Sequence, residues 1–148
     1  MANVLIVYGS TTGNTASVAE RIAKILSGEG HTVTVLDVVN AKADNLCNNQ
    51  DCVIFGCSTW GDMEIELQSD FISLFDSFDR IGVNGCKTAC FGCGDSGYTH
   101  FCGAVDVIEE RLEELGAVNI INKLKIDGDP DASEDEIDAW ARSVLAAL

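Results

Sequence analysis

Short apolar runs of strand length alternate with helical stripes along the whole chain, and that alternation leaves few folds open. Asn3–Tyr8 carries Val4-Leu5-Ile6-Val7-Tyr8 without a polar interruption, the pattern of a strand buried on both faces. Val18, Ala19, Ile22, Ala23 and Leu26 then recur at helical spacing, and Gly28 and Gly30 stop that helix. His31–Leu36, ending near Asp37-Val38, reads as a second strand whose partial alternation suits a sheet edge. Residues 40–50 are polar and form a loop or short irregular helix tethered by Leu46. Asp51–Cys57 is the third strand, and Leu67, Phe71, Leu74, Phe75 and Phe78 mark the helix after it. Lys87–Gly92 is the fourth strand, followed by a stripe of Val105, Ile108, Leu112 and Leu115 that ends at Gly116. Val118–Ile121, continuing irregularly to Ile126, supplies the last strand. A turn at Asp127-Gly128-Asp129-Pro130 precedes Ser133-Glu134-Asp135-Glu136, which has the form of a capping box. Ile137, Trp140, Ala141, Val144, Leu145 and Leu148 form the buried face of the closing helix.

Strands separated by helices must lie parallel, joined by right-handed crossovers and covered on both faces. The expected architecture is an α/β three-layer sandwich, with the 148 residues forming one domain, 1–148. Ligands of such sheets sit outside the carboxyl ends of the strands, where the strand order reverses. Three loops leaving those ends are chemically unusual: 9–15, 58–64 and 93–102.

The first holds Gly9-Ser10-Thr11-Thr12-Gly13-Asn14-Thr15, four hydroxyls and an amide between a strand and a helix, with no lysine or arginine. Helix-start amides and hydroxyls together suit a phosphate monoester. The same residues also suit an ordinary cap and turn. A triphosphate loop is excluded, because Gly13 follows Gly9 by only four positions and no lysine comes after it. A dinucleotide fingerprint is disfavoured by Thr11, which stands where the second glycine belongs, although Asp37 ends the second strand as a ribose-binding acid would. Arg21 and Lys24 lie too far along the helix to be direct ligands.

The other two loops each carry an aromatic, Trp60 and Tyr98. Both could close on opposite faces of a planar group, or each could fold back as a local plug over the sheet edge. Gly61 tolerates either sign of φ, so its peptide could turn over cheaply.

Three motifs, in order and spacing, resemble the flavodoxin family, and particularly its short-chain members from sulfate-reducing bacteria. They are Ser10-Thr11-Thr12-Gly13-Asn14-Thr15, Ser58-Thr59-Trp60-Gly61-Asp62, and Cys90-Phe91-Gly92-Cys93-Gly94-Asp95-Ser96 with Tyr98 and Phe101-Cys102-Gly103. The resemblance spans essentially the whole chain and implies a five-stranded sheet in the order 2-1-3-4-5, binding flavin mononucleotide (FMN). It implies that Ser10, Thr11, Thr12, Gly13, Asn14 and Thr15 hold the phosphate, while Ser58 and Thr59 position the ribityl chain and ring. Trp60 and Tyr98 would stack on the inner and outer faces. Gly61, beside Asp62, would redirect its carbonyl when the flavin N5 gains a proton. Asp95 and Cys102 would meet the pyrimidine end, largely through backbone amides, with Cys93, Gly94 and Phe101 also at the cofactor and His100 a neighbour of unassigned role. The function implied is low-potential one-electron transfer between neutral semiquinone and anionic hydroquinone. Redox proteins with basic docking faces, such as cytochromes, oxidoreductases or hydrogenase-linked carriers, would be the partners.

Charge points the same way. Twenty-four acidic against nine basic residues give a formal charge of -15, which repels nucleic acid and anionic membranes and attracts basic partners. Acids near the loops, Asp62, Glu64, Glu66 and Asp95, would disfavour a second negative charge on the flavin. Seven cysteines, several within apolar runs, suit reduced thiols in a cytoplasmic protein. No cleavable leader pattern or membrane-length apolar run is evident, so a soluble monomer is expected. Cys90 and Cys93 form a C-x-x-C, but on a strand instead of at a helix start, which argues against thioredoxin-like chemistry. A metal site is not expected, since successive faces of strand three separate Cys52 from Cys57. No nucleophile–base constellation stands out. An electron carrier is therefore favoured over an enzyme, with a flavin or quinone reductase of related fold as the alternative.

Overall fold

A computed structural model describes residues 2–10, 13–60, 66–94 and 102–148, with the backbone alone for Trp60 and Glu66. Strand β1 (Asn3–Gly9) leads into helix α1 (Asn14–Gly28), then β2 (Thr32–Asp37) and β3 (Cys52–Cys57). A small antiparallel pair, β4 (Thr59–Trp60) and β5 (Glu66–Leu67), precedes helix α2 (Ser69–Phe75). Then come β6 (Lys87–Gly94), α3 (Gly103–Glu114), β7 (Val118–Asn119), β8 (Leu124–Asp127) and α4 (Glu134–Ala147).

The main sheet is parallel and runs β2-β1-β3-β6, with β7 and β8 both on the far side of β6. This is the expected 2-1-3-4-5 order with the last strand split in two. Val118–Asn119 pairs with the start of β6 and Leu124–Asp127 with its end. Trp140 Nε1 donates to the Asn122 carbonyl at 2.7 Å, satisfying backbone that the break takes out of the ladder.

Alternate residues of the central strands feed two cores. Val4, Ile6, Cys52 and Ile54 pack under α1 and α4; Leu5, Val7, Val53 and Phe55 pack under α2 and α3. The β3 stretch is buried throughout, as its unbroken apolar run requires, whereas β2 alternates between exposed and half-buried positions at the edge. Cys52 and Cys57 face opposite cores, and so do Cys93 and Cys90. Among the described residues no group of three or more metal-ligating side chains occurs, and no helix is long and apolar enough to cross a membrane.

Three local expectations are corrected. Leu67 belongs to β5, so α2 is a shorter helix starting at Ser69, and Phe78 opens a separate 3-10 turn. In the 40–50 segment Cys47, at 4% exposure, is the buried tether, while Leu46 is only partly covered. The Ser133 capping box does not form: Pro130–Ser133 is a 3-10 turn, Asp129 accepts from the Asp131 N–H at 3.0 Å, and Ser133 makes no side-chain cap.

Candidate cofactor site

The sheet register brings the three unusual loops to one end. Gly9 lies opposite Cys57, and Gly56 opposite Phe91, so β1, β3 and β6 run out together. The approach is close: a Cβ on Gly92 would stand 2.3 Å from the Cys57 carbonyl oxygen. Glycine is required there to let β6 pass the end of β3.

At the first loop, Gly13 is the N-cap of α1, with φ 93° and ψ -8°, a left-handed conformation that glycine adopts without strain. Its N–H donates to Ser10 Oγ at 3.1 Å, and its carbonyl receives the Ser17 N–H at 2.9 Å. The amides of Asn14, Thr15 and Ala16 therefore have no acceptor within the helix. Among the described residues no side chain caps this end, and no acid stands in its first turn. Thr15 is 1% exposed, and its Oγ1 makes no hydrogen bond of acceptable geometry among the described residues, although the Cys93 thiol lies beside it. A buried hydroxyl without a partner is costly, and an uncapped helix start carries partial positive charge. An anionic acceptor at Gly13–Thr15 would satisfy both, which makes these residues fit a phosphate. Arg21 is occupied elsewhere: Nε meets Asp138 Oδ1 at 2.6 Å, and a second nitrogen meets Oδ2 at 2.9 Å.

The second loop is tied at both ends. Ser58 N–H donates to the Gly9 carbonyl at 3.4 Å, and the Ser58 carbonyl accepts from Gln68 N–H at 3.1 Å. Thr59 Oγ1 accepts from the Ala104 N–H at 2.9 Å, so this hydroxyl also holds the start of α3. Gln68, which the sequence reading passed over, caps α2. It is 1% exposed, and its side-chain oxygen accepts from Phe71 N–H at 3.1 Å while Nε2 donates to Asp70 at 2.9 Å. A Cβ on Gly9 would come 2.6 Å from that oxygen, so Gly9 makes room for the cap. A glutamine three residues before Phe71, just ahead of an apolar helical run, was the available signal.

At the third loop, Cys102 sits at φ 50°, ψ 33° as the N-cap of α3, against Gly94. Its thiol points inward, 3.7 Å from the carbonyls of Gly92 and Ile126. Burial pushes the Cys102 and Cys57 thiols up to about 12 and Cys93 up to about 11, so all three stay protonated near neutrality. With these side chains committed to the core, Cys93 and Cys102 can meet a ligand through main chain only. Thr11, Thr12, Gly61, Asp62, Asp95, Tyr98, His100 and Phe101, and the Trp60 side chain, lie outside the described residues.

The family model for flavodoxin matches residues 6–140. The chain belongs to the flavodoxin family. It is 57% identical over 148 residues to the flavodoxin of Nitratidesulfovibrio vulgaris (strain Miyazaki F), covering all of both chains. It is 52% identical over 144 residues to that of Maridesulfovibrio salexigens, covering 97% of each. Both are sulfate-reducing bacteria, as the motifs implied. The crystal structure of oxidised flavodoxin 2 from Bacillus cereus superposes with a TM-score of 0.90 at 34% identity, covering 99% of this chain and 100% of that one. As a flavodoxin the chain is an electron-transfer flavoprotein that binds FMN. Among the described residues, the unsatisfied Thr15 hydroxyl and open helix start fit its phosphate.

Proposed function

We propose that the chain acts as one domain, 1–148, and as a low-potential one-electron carrier. It holds FMN non-covalently, uses mainly the couple between neutral semiquinone and anionic hydroquinone, and converts no substrate of its own. The observation that carries this reading is the helix start at Gly13–Thr15, which has no lysine or arginine and whose buried hydroxyl has no hydrogen-bond partner of good geometry among the described residues. Neutral donors would hold the phosphate without cancelling its charge, leaving that charge to oppose further reduction nearby. In the proposed site Ser10, Thr11, Thr12, Asn14 and Thr15 bind the phosphate, and Ser58 and Thr59 orient the ribityl chain. Trp60 and Tyr98 cover the ring. The Gly61 carbonyl, beside Asp62, would accept a hydrogen bond from the flavin N5–H. Main chain at Asp95 and Cys102 meets the pyrimidine end, with Cys93, Gly94, His100 and Phe101 beside the cofactor.

A charge of -15 suits docking to redox proteins with basic faces, such as cytochromes, oxidoreductases or hydrogenase-linked carriers, by a cytoplasmic monomer that binds no nucleic acid. Anaerobic redox titration of the FMN-loaded chain, followed by visible absorbance, tests the proposal. A stable blue species at half-reduction is expected, with negligible turnover of NAD(P)H and quinone. A direct passage from yellow to colourless would overturn the couple, and rapid NAD(P)H–quinone turnover would assign the chain to the reductases instead.

A further inference from the structure

Gln68 is an unusual residue for its place. It is the N-cap of α2, a position that favours the short side chains of serine, threonine, aspartate and asparagine, yet it is a glutamine and only 1% exposed. Its Oε1 accepts the Phe71 N–H at 3.1 Å, as a cap does, and its Nε2 donates to Asp70 Oδ2 at 2.9 Å. Capping alone does not require the extra length. That length carries the amide over the end of β1, where a Cβ on Gly9 would stand 2.6 Å from Oε1. Both polar atoms of this buried side chain have partners, so α2 and β1 together hold it in one place.

A fixed side chain fixes the backbone it hangs from. Gln68 N–H donates to the Ser58 carbonyl at 3.1 Å, a carbonyl that the Cys57 thiol also meets at 3.3 Å. Ser58 N–H in turn reaches the Gly9 carbonyl at 3.4 Å. Gly9, Ser58 and Gln68 thus close a ring of contacts where β1 and β3 end. From it β4 and β5 leave the sheet, with Thr59 opposite Leu67 and Trp60 opposite Glu66. Two such rungs are marginal by themselves and need support from outside. Thr59 Oγ1, bonded to the Ala104 N–H at 2.9 Å, ties the pair to α3; Gln68 ties it to β1 and α2.

We propose that Gln68 is a positioning residue for the cofactor ring: its buried side chain, seated between Gly9 and α2, sets the N–H that holds the Ser58 carbonyl and so fixes the backbone of residues 58–60 before a flavin arrives. This rests on the reading that Trp60 covers the ring. A preset backbone binds the ring without having to be ordered by it. Without the Gln68 side chain only a fraction of molecules would hold residues 58–60 in place, and the apparent affinity would fall by that fraction. The loss belongs to the ring, so it would be the same for FMN and for riboflavin, which lacks the phosphate.

Two measurements on the full chain test it: amide hydrogen exchange of the apoprotein, and affinities for riboflavin and FMN. In Gln68→Ala the amides at positions 59, 67 and 68 should exchange about tenfold faster or more, and both ligands should bind about tenfold more weakly. Leu74→Ala weakens the same helix from the core side, where Leu74 is 5% exposed. It should lower the urea midpoint and leave both affinities unchanged. Gln68→Glu, which retains the side chain's size, sets two carboxylates against each other at Asp70 and should also weaken riboflavin binding. Adding Asp70→Asn restores one donor and one carboxylate with their places exchanged, and should recover the affinity. Unchanged exchange in Gln68→Ala would overturn the anchoring itself. Faster exchange with unchanged riboflavin affinity would overturn the proposal by a different route, since residues 58–60 would then not meet the ring. A loss confined to FMN, or an equal loss in Leu74→Ala, would also overturn it, by assigning Gln68 to the phosphate loop or to general stability.

Discussion

Thr59 Oγ1 takes the Ala104 N–H at 2.9 Å, across 45 positions of chain. Ala104 is fully buried, so no water can replace that acceptor. Thr59→Val should destabilise the apoprotein by about 1–3 kcal/mol, read by urea denaturation, because a buried amide loses its partner. An unchanged midpoint would mean that the hydroxyl serves the ligand alone. Motif reading found Thr59 but not this second role, because the Ala104 amide arrives from the start of α3, far along the chain. Gln68 escaped for a related reason. Leu67 fitted the helical period of Phe71 and Leu74, so the helix was drawn through the residue that caps it. Thr15 was found as one hydroxyl among several; that it is buried beside the Cys93 thiol, with no other partner among the described residues, emerges only with the fold.

Strand runs were the most readable elements, because central parallel strands must be apolar on both faces. The last strand was placed in the right region but not as two pieces, since the break depends on the Trp140–Asn122 contact made by α4. The capping box failed because Pro130 starts a 3-10 turn that occupies the expected cap residue. Between α1 and α4, the paired Arg21–Asp138 contact has a direct pH signature. Arg21 holds the Asp138 carboxyl below its ordinary value of 3.8. A depressed folded-state pKa gives stability that is present above the unfolded value and lost as pH falls through the folded one. Arg21→Met should therefore remove part of the acid dependence. Urea midpoints of wild type and variant should differ above pH about 4 and converge on acidification. A constant difference down to pH about 2 would show that the pair contributes through packing alone.

Across the whole molecule, a charge of -15 on 148 residues sets carboxylates against one another when the chain is compact. Raising ionic strength from about 0.01 M to about 0.15 M shortens the screening length to about 8 Å and should raise the apoprotein's melting temperature. A flat response would mean that local pairs such as Arg21–Asp138 and Lys125–Asp106 already balance the field. The same field was readable from composition, whereas the direction in which partners approach was not, since that depends on where the acids cluster in space.

The phosphate cradle at Gly13–Thr15 is tested most directly by measuring FMN and riboflavin affinities of the wild-type chain and of Thr15→Val. Riboflavin lacks the phosphate, so it reports every other contact. The variant should bind FMN about tenfold more weakly, about 1.4 kcal/mol, with riboflavin binding unchanged. Its apoprotein should be at least as stable as wild type, because an unsatisfied buried hydroxyl has been removed. Unchanged FMN affinity, or equal losses for both ligands, would contradict a phosphate held by the Thr15 hydroxyl.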